Sequence, residues 1–76
     1  MQEMTVNIPK LKGKIVEKGE TVKSLAASMG IDQATLYRKM KNNGETMLVK
    51  DANAIVAILS LSLEDAMSIF FSQYVA

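Results

Sequence analysis

The sequence predicts a small all-α domain of five helices. Three observations support this class: apolar residues recur at spacings of three and four, capping residues precede the apolar stretches, and glycines or turn-rich segments separate them. The 76 residues leave room for one compact domain. We expect residues 1–8 to form an N-terminal tail and residues 9–76 to form the domain.

The first two helices are predicted from their ends and their apolar spacing. Pro9 suits a first turn and Gly19 a left-handed end, so the first helix is expected over residues 9–18. Thr21 is the expected N-cap of the second helix, which runs to Met29. The residues expected in the core are Leu11 and Ile15, with Val16 as a further candidate, and Val22, Leu25, Ala26 and Met29.

The third helix follows after only three residues. Asp32 is the expected N-cap, and Leu36 and Met40 are expected to face inward over residues 33–40. So short a connection favours steep packing of the two helices, which is the geometry of a helix-turn-helix.

The last two helices follow a turn-rich stretch, residues 41–46, that we expect to be a loop. The fourth helix is predicted to begin near Val49 and to bury Ala52, Ile55, Val56 and Leu59. Ser62 is the expected N-cap of the fifth, with Asp65 at the capping-box position, and this helix is predicted to end near Tyr74.

The composition excludes several classes of function. With no Cys and no His, the chain forms no disulfide, no usual zinc site and no Ser/His or Cys/His catalytic pair. Glu64 and Asp65 belong to a first helical turn, and a Gly-rich phosphate loop is absent from the sequence. We therefore expect no enzyme, no cofactor and no metal. The sequence contains neither a membrane-length apolar stretch nor a secretory signal, so we expect a cytoplasmic protein.

Charge is distributed unevenly along the chain. The net charge is only +1, but residues 10–50 contain all nine basic residues and four of the eight acidic ones, a balance of +5. A basic front and an acidic remainder suit a polyanionic partner bound on one side.

The segment TVKSLAASMGIDQATLYRKM, residues 21–40, resembles the helix-turn-helix of the Cro and repressor (Xre) family of phage and bacterial transcription regulators. The resemblance rests on Ala26 where the two helices touch, Gly30 at the turn and apolar Leu36, supported by Leu25 and Ile31. It implies a lambda-repressor-like five-helix DNA-binding domain. It further implies a Cro-like regulator, a repressor of phage or prophage type, that binds double-stranded DNA as a homodimer on a two-fold operator.

The same resemblance assigns base reading to Gln33, Ala34, Tyr37 and Arg38. Gln33 can pair with adenine and Arg38 with guanine, and the Ala34 methyl group can contact a thymine methyl. Many relatives carry a polar base-reading residue at the position of Ala34. Because Ala34 is apolar, we expect recognition of the DNA sequence to depend more on Tyr37 and Arg38. Two alternatives stay open: a partly buried Tyr37 that only covers the turn, and an Arg38 that only stabilises the helix end.

Phosphate contacts are expected from the second helix start, the third helix end and the following loop, through Thr21, Val22, Lys23, Lys39, Lys41, Asn42, Asn43 and Thr46. For Lys10, Lys12, Lys14 and Lys18 we favour a solvated helix face; phosphate contact by Lys10, Lys12 and Lys14 stays open as the alternative.

The C-terminal helix is too apolar for one buried face. We expect a homodimer interface there, formed by Leu63, Met67, Phe70, Phe71 and Tyr74. The alternative is a C-terminus that wraps over the core. A second function also stays open: a protein-binding module, such as an antitoxin, antirepressor or adaptor, that binds a protein partner through this helix.

Overall fold

The predicted all-α class is confirmed by the computed structural model, which describes residues 5–71. Residues 5–71 contain no strand. The elements are five α-helices and one 3₁₀ turn: α1 (Ile8–Glu17), α2 (Val22–Met29), α3 (Gln33–Met40), the 3₁₀ turn (Asn42–Gly44), α4 (Val49–Leu59) and α5 (Leu63–Phe70). None of the helices in this part of the chain is long and apolar enough to cross a membrane.

Three of the helix starts use the caps that the sequence predicts. The Thr21 hydroxyl accepts the Ser24 N–H at 3.0 Å, the Asp32 carboxylate accepts the Ala34 N–H at 3.1 Å, and the Ser62 hydroxyl accepts the Asp65 N–H at 3.1 Å. Each bond satisfies a backbone N–H group that has no partner inside its helix. These bonds define the residues at which α2, α3 and α5 begin.

The start of α1 differs from the prediction by one residue. Asn7 is its N-cap, and the Asn7 side chain accepts the Lys10 N–H at 3.2 Å, so the helix begins at Ile8 with Pro9 in its first turn.

Part of the segment expected as a tail, residues 1–8, contacts the domain. Val6 is buried and its N–H donates to the Asn43 carbonyl, while the Asn7 N–H donates to the Ile69 carbonyl.

The core is formed by one inward face from every helix. Its fully buried large side chains are Val6, Leu11, Leu25, Leu36, Ile55, Leu59, Ile69 and Phe70. Val16, a candidate for the core, is 75% exposed. Because it lies about 100° around α1 from Ile15, the stripe that buries Leu11 and Ile15 leaves it outside.

The fifth helix is shorter than predicted. It ends at Phe70 because Phe71 leaves the helical region, with φ −130° and ψ 24°. The prediction that it continues to about Tyr74 was therefore wrong for residue 71, and Tyr74 itself lies outside the described residues.

Candidate nucleic-acid interface

The α2–α3 unit is held by a three-residue turn. Gly30 adopts φ 76°, a left-handed conformation that favours glycine, and ends α2. The Ile31 N–H donates to the Ala26 carbonyl at 3.0 Å, and Asp32 then caps α3. Leu25 and Ala26 of α2 and Leu36 of α3 are buried in the same core. The turn and this packing together fix which face of α3 is turned outward.

That outward face carries the four residues predicted to read bases. Gln33, Ala34 and Arg38 are exposed, and Tyr37 is 47% exposed. The inward face is formed by Leu36 and Met40, as predicted. Arg38 forms no ion pair within the described residues. The polar side chains of Gln33, Tyr37 and Arg38 are thus available to a partner.

A shallow groove of about 200 Å³ connects α3 with the loop that follows it. Arg38 and Thr46 line it, together with Thr35 and Lys39. A predicted base reader and a predicted phosphate contact, eight positions apart in the chain, therefore border one depression.

Lys39, which was predicted to contact phosphate, forms an ion pair inside the fold. Its Nζ lies 3.0 Å from Oδ2 of Asp51, and its side chain is only 20% exposed. The same Asp51 oxygen accepts the Leu48 N–H at 2.9 Å, so the carboxylate is held at the start of α4. The charge of Lys39 is therefore used inside the fold, where it joins α3 to α4.

The loop after α3 contains three consecutive residues in left-handed conformations, Asn42, Asn43 and Gly44. Its hydrogen bonds occupy part of its backbone: the Gly44 N–H donates to Lys41 and the Glu45 N–H to Asn42. Within residues 5–71, the backbone N–H groups of Asn42, Asn43 and Thr46 have no protein acceptor, whereas the Asn42 side-chain amide donates to Oε1 of Glu45 at 3.5 Å. All three residues are exposed, so their backbone N–H groups are candidates for contact with an anion.

Gly44 also fixes the position of this loop. A Cβ atom on Gly44 would lie 2.5 Å from Cγ2 of Val6, and its φ of 72° is strained for any other residue. The buried N-terminal residue Val6 therefore packs directly on the loop backbone. The sequence alone did not reveal this contact, because Val6 lies outside any helical pattern.

The start of α2 is a mixed environment for an anion. The Val22 and Lys23 amides are in its first turn, where an α-helix leaves N–H groups without partners. The Ser24 hydroxyl, however, donates to Oε1 of Glu20 at 2.7 Å. This carboxylate lies close to the helix start and weakens its attraction for a phosphate. The one sequence signal for this carboxylate is the position of Glu20, which directly precedes the cap Thr21.

The lysines of α1 divide between two faces. Lys14 lies 2.9 Å from Asp65 of α5 and 3.0 Å from Glu17, and Lys10 lies 3.8 Å from Asp65. Lys10 also donates to the Ser68 hydroxyl at 2.6 Å. Hydrogen bonding to Asp65 and then to Glu17 raises the pKa of Lys14 above its ordinary value, and hydrogen bonding to Lys14 lowers the pKa of Asp65. Lys12 takes part in none of these pairs.

The residues predicted to form a dimer interface on α5 differ in their exposure to solvent. Leu63 is 80% exposed and Met67 is 38% exposed. Phe71 is half-buried, but Phe70 is fully buried, which removes it from any surface. Phe70 is the last residue of α5 and points into the core, whereas Phe71 follows the helix end and packs against the edge of the core. Tyr74 lies outside the described residues.

Comparisons with family models, with curated proteins and with solved structures found no match for this chain. Within the described residues, no group of three or more His, Cys, Asp or Glu side chains is arranged to hold a metal ion.

Proposed function

We propose that the protein binds double-stranded DNA sequence-specifically, with α2 and α3 as a helix-turn-helix and α3 in the major groove. One observation carries the proposal: α3 presents a polar, cationic face to solvent while its opposite face is buried. Gln33 and Arg38 on that face are exposed, and Arg38 has no acidic partner among the described residues. A helix of this kind fits the width of the major groove.

The exposed side chains of α3 contact the base edges. Gln33 forms a bidentate pair with adenine, Arg38 forms one with guanine, and Ala34 contacts a thymine methyl group. The half-exposed Tyr37 contacts the edge of the groove with its ring and hydroxyl.

Phosphate contacts come from two segments of the chain. The loop after α3 provides Lys41, exposed and unpaired in the described chain, and the backbone N–H groups of Asn42, Asn43 and Thr46. The start of α2 provides Lys23 and the first amides of the helix, where Glu20 makes the contact weaker. These groups set the register of α3 and make binding depend on salt.

The regulatory part of the proposal follows from the resemblance to the Cro and repressor (Xre) family. A second copy would pack on the exposed apolar residues of α5, Leu63 and Met67, with Phe71 at the edge. Dimers of this motif bind half-sites ~34–36 Å apart. Bound over a promoter in the cytoplasm, such a dimer represses by excluding polymerase.

The test is selection from random duplex DNA, followed by titration of the enriched duplex with wild type, Arg38→Ala and Arg38→Lys. We expect a palindromic sequence, and a loss of about 1–3 kcal/mol per half-site for Arg38→Ala, with relaxed preference at one base pair in each half-site. Arg38→Lys is the matched control: it keeps the charge and the salt dependence but loses the bidentate geometry. Absence of any enriched sequence, or equal binding by Arg38→Ala, contradicts the proposal.

A second candidate function is a protein-binding module, an antitoxin, antirepressor or adaptor. The observation that favours it is the exposure of Leu63 and Met67 on α5. Binding to a protein partner through these side chains would depend weakly on salt and would be lost in Met67→Glu, whereas DNA binding by the α3 face weakens steeply as salt rises.

A further inference from the structure

We propose that Lys12 of α1 is a phosphate contact, and that one DNA backbone crosses the surface between α1 and α3 over the Tyr37 ring. This inference rests on the proposed function. It adds a contact from a helix outside the helix-turn-helix, at a residue that the sequence pattern favours as merely solvated.

Two grooves meet at this surface, and both are lined by Lys12 and Tyr37. The larger, of about 400 Å³, extends between them to Val16 and to Thr21 and Val22 at the start of α2. The smaller, of about 220 Å³, extends the other way to Lys41 at the end of α3. Lys12 therefore lies between two positions that already belong to the proposed phosphate contacts.

Ion pairing distinguishes Lys12 from the neighbouring lysines of α1. Lys10 and Lys14 are four residues apart on one face, and both lie against Asp65 of α5. Lys12 is two residues from each, about 200° around the helix, and it is exposed with no ion-pair partner among residues 5–71. The fold thus places two lysines of α1 against Asp65 and leaves the third beside Tyr37 of α3, unpaired among the described residues.

The chemistry of the grooves fits a sugar-phosphate chain. Lys12 and Lys41 provide positive charge on the two sides of Tyr37, and Ile15, Val16 and the Tyr37 ring provide apolar walls against which sugars pack. Glu20 also lines the larger groove, but its carboxylate accepts a hydrogen bond from Ser24 at 2.7 Å. The attraction is therefore expected to be strongest toward the Lys41 end.

The experiment compares Lys12→Ala with Lys18→Ala in full-length protein on a duplex that carries one half-site of the selected sequence, so that each variant changes one protomer's contacts. Lys18 is an exposed, unpaired lysine that follows the same helix and lines neither groove, so it matches the change in charge. Each neutralised phosphate contributes about 0.9 to the salt slope, so a four-fold rise in salt should cost wild type about three- to four-fold more affinity than Lys12→Ala. Lys18→Ala should keep the wild-type slope.

A second measurement locates the contact. Single neutral methylphosphonates are placed in turn along the duplex. One position should weaken wild type and Lys18→Ala but leave Lys12→Ala unchanged. The thermal midpoints of both variants should equal that of wild type, because both side chains are exposed.

The outcomes separate this inference from the proposed function. If wild type enriches and binds a duplex but Lys12→Ala keeps its slope and its sensitivity to every methylphosphonate, the Lys12 contact is wrong and the proposed function stands. If wild type binds no duplex, both are wrong. A Lys12→Ala variant that binds DNA normally but loses a protein partner assigns the grooves to that partner and overturns the inference.

Discussion

The contact between α1 and α5 and the outward face of α3 both contain basic side chains, but the fold uses them in opposite ways. Between α1 and α5, Lys10 and Lys14 lie against Asp65 and join two helices. On α3, Arg38 is exposed and unpaired within the described residues. The two regions differ in whether an acidic side chain lies close to the basic one. Asp65 pairs with Lys10 and Lys14 and so joins two helices, whereas Arg38 has no such partner among the described residues.

The free positive charge of the basic segment, residues 10–50, is smaller than its sequence indicates. The balance of +5 over residues 10–50 overstates the free positive charge, because acids outside that range, Asp51 and Asp65, neutralise Lys39, Lys14 and in part Lys10. The cations that stay unpaired among residues 5–71 include Lys12, Arg38 and Lys41. Substitutions on the paired side should therefore change stability, and those on the unpaired side should change binding.

The largest effect is expected from Phe70→Ala on the α5 side. Phe70 is fully buried, and its loss should cost about 3–5 kcal/mol in the free energy of unfolding, measured by urea denaturation. Leu63→Ala on the same helix removes an 80% exposed side chain and should change stability by less than about 0.5 kcal/mol. Equal losses in the two variants would contradict the assignment of Phe70 to the core.

Next in size is Gly44→Ala, which tests the loop beside the α3 face. The added methyl group meets Val6 at a left-handed position, so we expect a loss of about 2–4 kcal/mol in thermal or urea unfolding. Gly13→Ala is the control: Gly13 is helical with open space around it, and alanine there should stabilise by about 0.5–1 kcal/mol. A neutral Gly44→Ala would show that Val6 does not pack on the loop.

A smaller effect distinguishes the two lysines at the end of α3. On a duplex with one half-site, Lys41→Ala should lower the slope of log affinity against log salt by about 0.9, because Lys41 is exposed and unpaired among the described residues. Lys39→Ala should leave the slope near its wild-type value, since Asp51 already neutralises Lys39. The reverse result would mean that Lys39 leaves Asp51 when DNA binds.

The smallest effect is expected from Asp65→Asn, in the pH dependence of stability. Hydrogen bonding to Lys14 lowers the pKa of Asp65 from its ordinary value of 3.8, so its contribution is complete above that pH and lost as the pH falls through the lower folded value. The raised pKa of Lys14 acts in the opposite direction, with a contribution present below 10.5 and lost as the pH rises through the higher folded value.

Thermal unfolding from pH 2 to 6 tests the carboxylate. The difference between wild type and Asp65→Asn should be largest near pH 6 and should shrink toward pH 2. A difference that does not vary with pH would exclude the ionised pair as its source. The pair is solvent-accessible, so high salt should also reduce it.

Local signals were sufficient to predict most of the fold. The caps Thr21, Asp32 and Ser62 and the left-handed Gly30 each act within a few residues, so their effect is readable from the chain. Contacts between distant residues were not readable. Val6 lies against Gly44, and nothing in their neighbouring residues encodes that approach.

The same limit applies to the candidate site. The exposed face of α3 follows from its helical period, which is why Gln33 and Arg38 were predicted to lie outward. The pairing of Lys39 with Asp51, the burial of Phe70 and the position of Lys12 beside Tyr37 depend on how whole helices pack. Only the three-dimensional structure distinguishes paired from unpaired lysines.

The most direct test of the α3 face as the DNA-binding surface is an amide chemical-shift titration with a duplex that carries one half-site of the selected sequence. A single half-site keeps dimer contacts out of the measurement. We predict the largest changes at Gln33, Arg38 and Asn43, and changes near zero at Asp65 and Ser68 in the α1–α5 contact. Large changes at Asp65 and Ser68 with none on α3 would contradict the account and assign binding to the opposite side of the molecule.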